Sequence, residues 1–334
     1  MPKITISNAN IAYVCEDDTL ARAALREGLG FPYECNVGSC GNCRFELQSG
    51  EVVHLRANPP GLNERDIARN RYLGCQAQPK GDCTIKVNLR DNYKSHHLPR
   101  KTEAELAGID DLTHDIREFR FNLKKSNLFL PGQYALLSLP DVEGARAYSM
   151  SNVTNLGDEW HFQIKRVPGG EATTNLFDKI KLGDTITIDG PYGMAYLRED
   201  APRDILCLAG GSGLSPMISI ARGAAASPVL QGRNIEFIYG GRSPKDICGE
   251  GILSTLEGYG SRIHYHPAIS MPEGTEGWTG HTGFVHDIAE MLFGANLPNF
   301  EVYFAGPPAM SQAVMKMLIT AKVPVGQLHF DQFY

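Results

Sequence analysis

The sequence has few of the features that mark an exported or membrane-bound chain. No apolar stretch follows Met1-Pro2-Lys3, and no run approaches the roughly 18 uninterrupted apolar residues that a membrane span requires. The 8 cysteines in 334 residues are too few for a disulfide scaffold, and a chain of this size buries enough apolar surface to fold without one. We therefore expect no membrane contact and a cytoplasmic protein whose thiols stay reduced.

An excess of basic charge is also missing. The net charge of -6 and the pI near 5.9 exclude nucleic acid as the expected partner, because binding there requires a basic surface that replaces phosphate counterions. Residues 1–93 are balanced, with 11 Lys+Arg and 11 Asp+Glu, so the acidic excess lies downstream. The length predicts two to three domains, and 35 Gly with 20 Pro predict many turns between short elements.

Three cysteines crowd into the segment "CNVGSCGNC". Cys35, Cys40 and Cys43 have the spacing C-x4-C-x2-C, and Cys75 follows after 31 intervening residues in "YLGCQAQ". A zinc site usually uses two C-x2-C pairs, and only one is present here, so zinc is the weaker interpretation. Three close ligands with a distant fourth are typical of a plant-type [2Fe-2S] cluster. Cys15, Cys83, Cys207 and Cys248 are interpreted as core or inert thiols.

The surroundings of these cysteines favour a β-grasp fold. Alternating apolar residues at 4–6 and 11–13 predict a hairpin, "DDTLARAALREGLG" predicts a helix capped by Asp18, and "CTIKVNL" predicts a returning strand. Residues 3–91 resemble plant-type ferredoxins. Glycines in the cysteine loop would let backbone amides face the sulfurs. We also expect the small residues of this loop to let a partner approach the cluster; they are Gly38, Ser39, Gly41 and Asn42.

A polar segment, 94–102, is predicted to be a linker, and the strands that follow it predict an antiparallel barrel. "RAYSMSN", "IKRVPGGEATTNLF" and "GPYG" occur there in this order. Together they resemble the FAD-binding domain of the ferredoxin-NADP reductase superfamily. The resemblance implies that Arg146 neutralises the pyrophosphate, that Tyr148 stacks on the flavin and that Ser149 bonds near its reacting nitrogen. Ser149 and Tyr148 are thus the predicted catalytic residues. The resemblance also assigns four further residues to FAD binding: Lys165, Val167, Gly170 and Thr173.

After residue 201 the pattern changes to α/β. "DILCLAGGSGLSPMISIARGAA" reads as a buried strand, a glycine-rich turn and a helix, an arrangement that places a pyrophosphate at a helix N-terminus. "GGSGLSP" and "AGPP" resemble the nicotinamide-nucleotide motifs of the same superfamily, with Ala305 where a cysteine is usual. NADH is favoured over NADPH, since Asp246 would repel a 2′-phosphate, although Arg242 could pair with one. The predicted NAD residues are Gly210, Gly211, Gly213, Pro216, Arg242, Asp246, Ala305, Gly306 and Pro307.

The order of these regions narrows the family. The whole chain resembles the NADH-dependent reductase components of bacterial aromatic-ring oxygenases, of the toluene monooxygenase and carbazole or naphthalene dioxygenase type, and "HFDQFY" at 329–334 is close to them. The predicted domains are a ferredoxin (1–93), a linker (94–102), an FAD-binding β-barrel (103–200) and a Rossmann-like α/β domain for NADH (201–334).

That resemblance implies a function. Electrons from NADH would pass through FAD and a [2Fe-2S] cluster to an oxygenase or hydroxylase component, or to a Rieske-type ferredoxin, and the reductase would be a monomer. A flavin is the expected intermediary because NADH donates two electrons together, whereas the cluster accepts one at a time. A reductase for another acceptor and a non-enzymatic redox sensor remain alternatives.

Overall fold

The computed structural model describes residues 1–153, 157–271 and 276–331. Its described strands form three main sheets, one after another along the chain, and a small two-stranded ribbon. This division agrees with the predicted fold class. The last three residues of "HFDQFY", 332–334, lie outside the described residues.

The first sheet holds the cysteine loop. Its strand order is β2-β1-β7-β3-β5, with β1 parallel to β7 and antiparallel to β2, and β4 and β6 form the ribbon. The hairpin and the returning strand are confirmed. The elements of this part are β1 (Lys3–Ile6), β2 (Ile11–Val14), α1 (Leu20–Arg26), β3 (Arg44–Ser49), β4 (Val52–His54), α2 (Glu64–Ala68), β5 (Arg71–Leu73), β6 (Ala77–Pro79) and β7 (Cys83–Lys86).

The predicted cap of the first helix is wrong. Helix α1 begins after Thr19, which occupies the N-cap position. Asp18 accepts a hydrogen bond from the Thr19 amide and pairs with Arg26, at 2.7 Å from its Nε. The carboxylate therefore serves a long-range contact that the helix pattern does not reveal.

The second sheet is the predicted antiparallel barrel. Its strand order is β11-β10-β13-β8-β9-β12, and an isolated bridge between Met150 and Phe162 joins its two ends. Strand β8 starts at Arg100, inside the segment that the sequence predicts as a linker. The elements are β8 (Arg100–Asp111), β9 (Ile116–Leu123), β10 (Tyr134–Ser138), β11 (Arg146–Ser149), β12 (Glu159–Lys165), α3 (Glu171–Thr174), a π-helical turn (Asn175–Lys179) and β13 (Thr185–Tyr192).

The third sheet is parallel and has the order β17-β16-β15-β14-β18-β19. Strand β14 lies between β15 and β18, so the chain reverses direction across the sheet next to β14, where α/β folds place their ligands. The elements are β14 (Asp204–Gly210), α4 (Leu214–Ala226), β15 (Ile235–Gly241), α5 (Glu250–Leu253), β16 (Ile263–Ile269), β17 (His281–Thr282), α6 (Val285–Phe293), β18 (Phe300–Ala305), α7 (Pro308–Thr320) and β19 (Leu328–His329). Among the described helices, none is long and apolar enough to cross a membrane.

The first sheet and the barrel share a buried interface. Arg26 donates two parallel hydrogen bonds to Asp189 on β13, from Nη1 at 2.9 Å and from Nη2 at 2.8 Å. Tyr134 and Tyr192 of the barrel belong to the same apolar cluster as the core of the first sheet. Separating the two parts, or removing one partner, would leave the other charge of this ion pair without its partner. The contact therefore holds the first sheet and the barrel together.

Candidate redox site

The four predicted cysteine ligands converge at one end of the first sheet. Cys35, Cys40 and Cys43 lie in the loop between α1 and β3, and Cys75 follows β5. Three of them are buried and Cys40 is half-buried. All eight cysteines, which lie within the described ranges, are free thiols.

The thiols approach one another in two pairs. Cys35 interacts with Cys40, and Cys43 interacts with Cys75. Within the first pair, hydrogen bonding from Cys40 lowers the pKa of Cys35 to about 5. Within the second, hydrogen bonding from Cys43 lowers the pKa of Cys75. In each pair, one thiol is thus more acidic than an ordinary cysteine.

The loop also directs backbone amides at sulfur. The amides of Ser39 and Cys40 both donate to Cys35 Sγ at 3.4 Å, and the Asn42 amide donates to Cys40 Sγ at 3.5 Å. Amide donors stabilise negative charge on sulfur. Two pairs of thiolates with inward amides fit a [2Fe-2S] cluster, in which each iron takes two cysteine ligands.

A half-buried arginine adds positive charge beside the loop. Arg22 of α1 donates from Nη2 to the carbonyls of Asn36 at 3.0 Å and Cys75 at 3.4 Å. Its charge also contributes to lowering the pKa of Cys75, after the larger effect of the Cys43 hydrogen bond. The sequence analysis missed this residue, although its position four residues before Arg26 on one helix face was a usable signal.

One prediction about the loop surface is wrong. Gly38 and Gly41 are buried, whereas Asn42 is exposed and Ser39 is half-buried. The Gly61 amide donates to the Gly38 carbonyl at 2.9 Å, and a Cβ on Gly41 would lie 2.6 Å from the Gly61 oxygen. The two glycines therefore let the chain near Gly61 cover the loop, and the accessible side is the one at Cys40 and Asn42.

Strand β11 carries the three residues predicted to meet the flavin. Arg146, Tyr148 and Ser149 are all half-buried on one barrel edge. Tyr148 packs against the barrel core, and burial raises its pKa to about 12, so its ring presents a neutral face. We call residues 146–149 the flavin platform.

The predicted phosphate turn lies between β12 and α3. The hydroxyl of Thr173 accepts from the Val167 amide at 3.1 Å and donates within the turn to the carbonyl of Val167 or Gly170. Gly170 occupies the N-cap position of α3. Thr173 thus shapes the turn, and Lys165 at the end of β12 pairs with Asp115 at 3.1 Å.

The predicted nicotinamide-nucleotide residues meet at the carboxyl ends of β14 and β18. Gly210 ends β14, Gly211 has φ +57, and a Cβ on Gly213 would lie only 2.0 Å from the Ala305 carbonyl oxygen. A Cβ on Gly306 would lie 3.4 Å from the Gly210 amide nitrogen. Gly213 is required to be glycine because the two motifs touch there. Pro307 caps α7, and Pro216 lies in the first turn of α4.

Arg242 and Asp246 lie just beyond β15. Arg242 is exposed. The Asp246 carboxylate accepts from the Ser243 amide at 2.9 Å and from its hydroxyl at 3.0 Å. Burial opposes ionisation of Asp246, but these hydrogen bonds outweigh it and leave its pKa lowered. Asp246 is therefore a fixed negative charge beside the nucleotide strands.

Helix α4 joins the nucleotide loop to the flavin platform. Ser215 donates to the Ser149 carbonyl at 2.7 Å, and Ser219 donates to the Asn152 carbonyl at 2.7 Å. Arg222 donates to the Ser151 carbonyl at 2.9 Å. The three donors recur at helical spacing on one face of α4. These three donors were not predicted from the sequence. A short polar stripe is visible in the apolar helix, but the sequence does not show which residues it contacts.

A buried glutamate lies below this junction. Burial opposes ionisation of Glu118, but the neighbouring His161 ring and hydrogen bonds from Gln163 and Ser151 lower its pKa to about 2. Ser151 and Gln163 each donate to its Oε2 at 2.8 Å. The carboxylate thereby holds together β9, β12 and the chain that leaves the platform.

Tyr134 connects the platform with the cysteine loop. It is paired with Ser149 in the β10–β11 ladder. Its hydroxyl donates to the Glu34 carbonyl and accepts from Asn36 Nδ2 at 3.2 Å. These two partners flank Cys35 in the chain. The platform and one cysteine ligand are therefore linked by one side chain.

Each of the three parts of this structure matches a known protein family. The chain matches the 2Fe-2S iron-sulfur cluster binding domain over residues 4–80, the oxidoreductase FAD-binding domain over 103–196 and the oxidoreductase NAD-binding domain over 207–316. These matches show that the cofactors are a [2Fe-2S] cluster, FAD and NADH, as the sequence predicts.

Full-length relatives have the same organisation. The chain is 38% identical over 319 residues to ferredoxin–NAD(P)+ reductase CarAd of Metapseudomonas resinovorans, covering 95% of this chain and 94% of that protein. It is 35% identical to the ferredoxin–NAD+ reductase component of the alkene monooxygenase system of Xanthobacter autotrophicus, covering 98% and 99%. The solved ferredoxin reductase in carbazole 1,9a-dioxygenase superposes with a TM-score of 0.91 at 34% identity, covering 100% of this chain and 98% of that one. The chain belongs to the family of ferredoxin–NAD(P)+ reductase components of oxygenase systems, the iron-sulfur flavoproteins that oxidise NADH and pass its electrons on.

Proposed function

We propose that this protein supplies electrons to the oxygenase or hydroxylase component, or to the Rieske-type ferredoxin, of a bacterial system that oxidises aromatic hydrocarbons. The observation that carries the proposal is the continuous contact from the nucleotide loop to the cysteines. Ser215 joins the loop to the platform at Ser149, and Tyr134 joins the platform to the chain around Cys35. When bound, FAD takes a hydride from NADH, and the cluster carries single electrons onward.

The chain's own residues have separable tasks in this reaction. We assign the glycines of 210–213 and the segment 305–307 to NADH, where backbone rather than side chains faces the nucleotide. Arg242 would lie near the adenosine end, and Asp246 would disfavour a 2′-phosphate there. Pro216 would lie in the first turn of α4 beside the nucleotide, where its missing N–H breaks no intrahelical bond.

The platform residues are assigned to the flavin. We assign to Arg146 the pyrophosphate charge, to Tyr148 one ring face and to Ser149 a hydrogen bond near the reacting edge. Lys165, Val167, Gly170 and Thr173 would shape the strand end and the turn beside the phosphates. Because Ser215 of α4 bonds to the Ser149 carbonyl, Ser149 would stay in place while nucleotides exchange.

The four cysteines are assigned to the cluster. Cys35, Cys40, Cys43 and Cys75 would coordinate two irons in the pairs that the thiols form. We propose the domain limits 1–93, 103–200 and 201–334. The first strand of the barrel, β8, begins at Arg100, within the predicted linker. A monomer in the cytoplasm is proposed as well, and sedimentation of the purified protein tests the first part.

The acceptor can be tested by reconstitution. The purified reductase is mixed with NADH and, separately, with an aromatic dioxygenase with its Rieske ferredoxin, an aromatic monooxygenase hydroxylase, or an alkene monooxygenase hydroxylase. We expect product formation with an aromatic system at the lowest reductase concentration. The alkene system is the second candidate, because one full-length relative serves such a system. Faster turnover with it would overturn the aromatic assignment.

A further inference from the structure

A group of arginines lies beside the accessible edge of the cysteine loop. Arg44 places Nη2 2.9 Å from the Gly61 carbonyl oxygen, next to Gly41. Arg71 begins β5, and Arg65 and Arg69 lie in and directly after α2. Arg44, Arg65 and Arg69 are exposed, and Arg71 is half-buried. We call these four residues the arginine ledge.

Asp66 builds this surface from beneath. It is 5% exposed and contacts Arg44 Nε at 3.1 Å and Arg71 Nη1 at 3.4 Å. Asp66 also completes a capping box with Asn63 at the start of α2. The carboxylate is therefore buried under two guanidinium groups, whereas the guanidinium groups face outward and leave their charge on the surface.

The segment 55–71, which carries three of the four ledge arginines, is hydrogen-bonded to the chain around the cysteines. The amide of Leu55 donates to the Gln76 carbonyl at 2.8 Å, and the Gly61 amide donates to the Gly38 carbonyl at 2.9 Å. At Cys35, the flanking residues Glu34 and Asn36 contact Tyr134 of the barrel. The loop thus has one side against the barrel and another bordered by the ledge.

The charge of this region opposes that of the whole molecule. Residues 55–71 hold four arginines and two acidic residues, while the protein carries -6 overall. Two large apolar side chains are exposed on the same segment, Leu55 at 47% and Ile67 at 60%. Exposed apolar residues beside arginine are typical of protein interfaces. A local positive surface on an acidic protein steers an acidic partner to that place.

We propose that the arginine ledge is the docking surface for the protein that takes electrons from the cluster, and that this acceptor presents carboxylates around its own redox centre. The inference rests on the proposed function and deepens it by naming the chemistry of the partner surface. Leu55 and Ile67 would supply the apolar contact that remains after electrostatic steering.

The test uses two probe proteins of opposite charge. The full-length holoenzyme reduces an acidic [2Fe-2S] ferredoxin and, separately, basic cytochrome c, with NADH as donor. The variant is Arg65→Glu with Arg69→Glu. The matched control is Lys181→Glu with Lys316→Glu, which makes the same change of net charge at exposed positions elsewhere. A second variant, Arg65→Lys with Arg69→Lys, keeps the positive charge.

We expect the ledge variant to bind the acidic ferredoxin at least about tenfold more weakly at low salt, with the difference shrinking as salt screens the charges. Its reduction of cytochrome c should become faster. The lysine variant should resemble the native protein, and flavin reduction by NADH should be unchanged in all variants. Kd is measured by surface plasmon resonance, and melting temperatures confirm folding.

The outcomes separate the two proposals. If the ledge and control variants lose affinity equally, only net charge matters and the ledge assignment fails. If the native protein oxidises NADH with ferricyanide but reduces neither protein, the proposed electron route fails. Stronger binding of the basic probe by the native protein would also contradict an acidic partner.

Discussion

Ser215 donates a hydrogen bond of 2.7 Å to the carbonyl oxygen of Ser149. Ser215 follows the glycines of 210–213, and Ser149 is the last residue of the flavin platform. The Ser215 hydroxyl also accepts from the Gln163 amide at 3.1 Å. One side chain therefore joins the start of α4 to β11 and β12, between the residues predicted to bind NADH and those predicted to bind flavin.

Replacing Ser215 by alanine should destabilise the protein and slow flavin reduction. The change leaves a buried amide and a buried carbonyl without this partner, at a cost of about 1–3 kcal/mol. Differential scanning calorimetry and anaerobic stopped-flow measurements check both effects. Ser254→Ala is the control, because that exposed hydroxyl bonds within its own turn. Equal behaviour of the two variants would show that the junction does not position the platform.

Ser149 and Arg146 should have opposite kinetic signatures. Ser149→Ala is expected to slow flavin reduction by NADH on the order of tenfold, which corresponds to one hydrogen bond at the reacting edge. FAD binding should change less. Arg146→Ala should weaken FAD binding more than it slows the reaction of bound flavin. Stopped-flow traces and FAD titrations distinguish the two, and an unchanged rate in Ser149→Ala would remove its hydroxyl from the mechanism.

Tyr134→Phe should loosen the contact between the platform and the cysteine loop. The ring remains, but the hydroxyl that bonds to Glu34 and Asn36 is lost. We expect slower reduction of the cluster after the flavin has been reduced, with no change in the preceding NADH step. Rapid-freeze EPR measures the cluster signal. Tyr72→Phe is the control, since its ring packs on Phe45 of the first sheet and on His54 of the ribbon, away from the platform.

Asp331 should make stability depend on pH. Burial raises its pKa to about 7. The neutral carboxyl is thus favoured in the folded state. Its contribution to the free energy of unfolding is complete below about pH 4 and is lost as pH rises through 7. The melting temperature of the native protein should fall relative to that of Asp331→Asn across this window. A constant difference between pH 4 and 8 would show that Asp331 does not titrate there.

Local motifs explain how much the sequence could predict. The cysteine loop, "RAYSMSN" and "GGSGLSP" are short, contiguous motifs. Their local geometry depends on neighbouring residues, so their residue order predicts it. The β1–β2 hairpin was equally accessible from its alternation. The assignments of individual residues to FAD and NADH stay predictions.

Contacts between distant residues could not be predicted in the same way. Arg26 and Asp189 are separated by 163 positions, and Asp18 was assigned to a helix cap although it pairs with Arg26. Similarly, Gly38 and Gly41 looked exposed because the sequence does not reveal that the chain at Gly61 covers them. In each case the partner comes from another element, and no spacing rule identifies it.

The most direct test of the account asks where electrons leave the protein. Cys75→Ser in the full-length chain removes a buried thiol that we predict to be a cluster ligand and leaves the barrel unchanged, so the variant should lose iron and sulfide but keep FAD. Cys83→Ser is the control, because this buried thiol bonds only to carbonyls among the contacts described. We predict that Cys75→Ser still oxidises NADH with ferricyanide, which can accept electrons from flavin, while reduction of cytochrome c is nearly abolished and Cys83→Ser retains both activities. Reduction of cytochrome c by Cys75→Ser at the native rate would contradict an exit through the cluster.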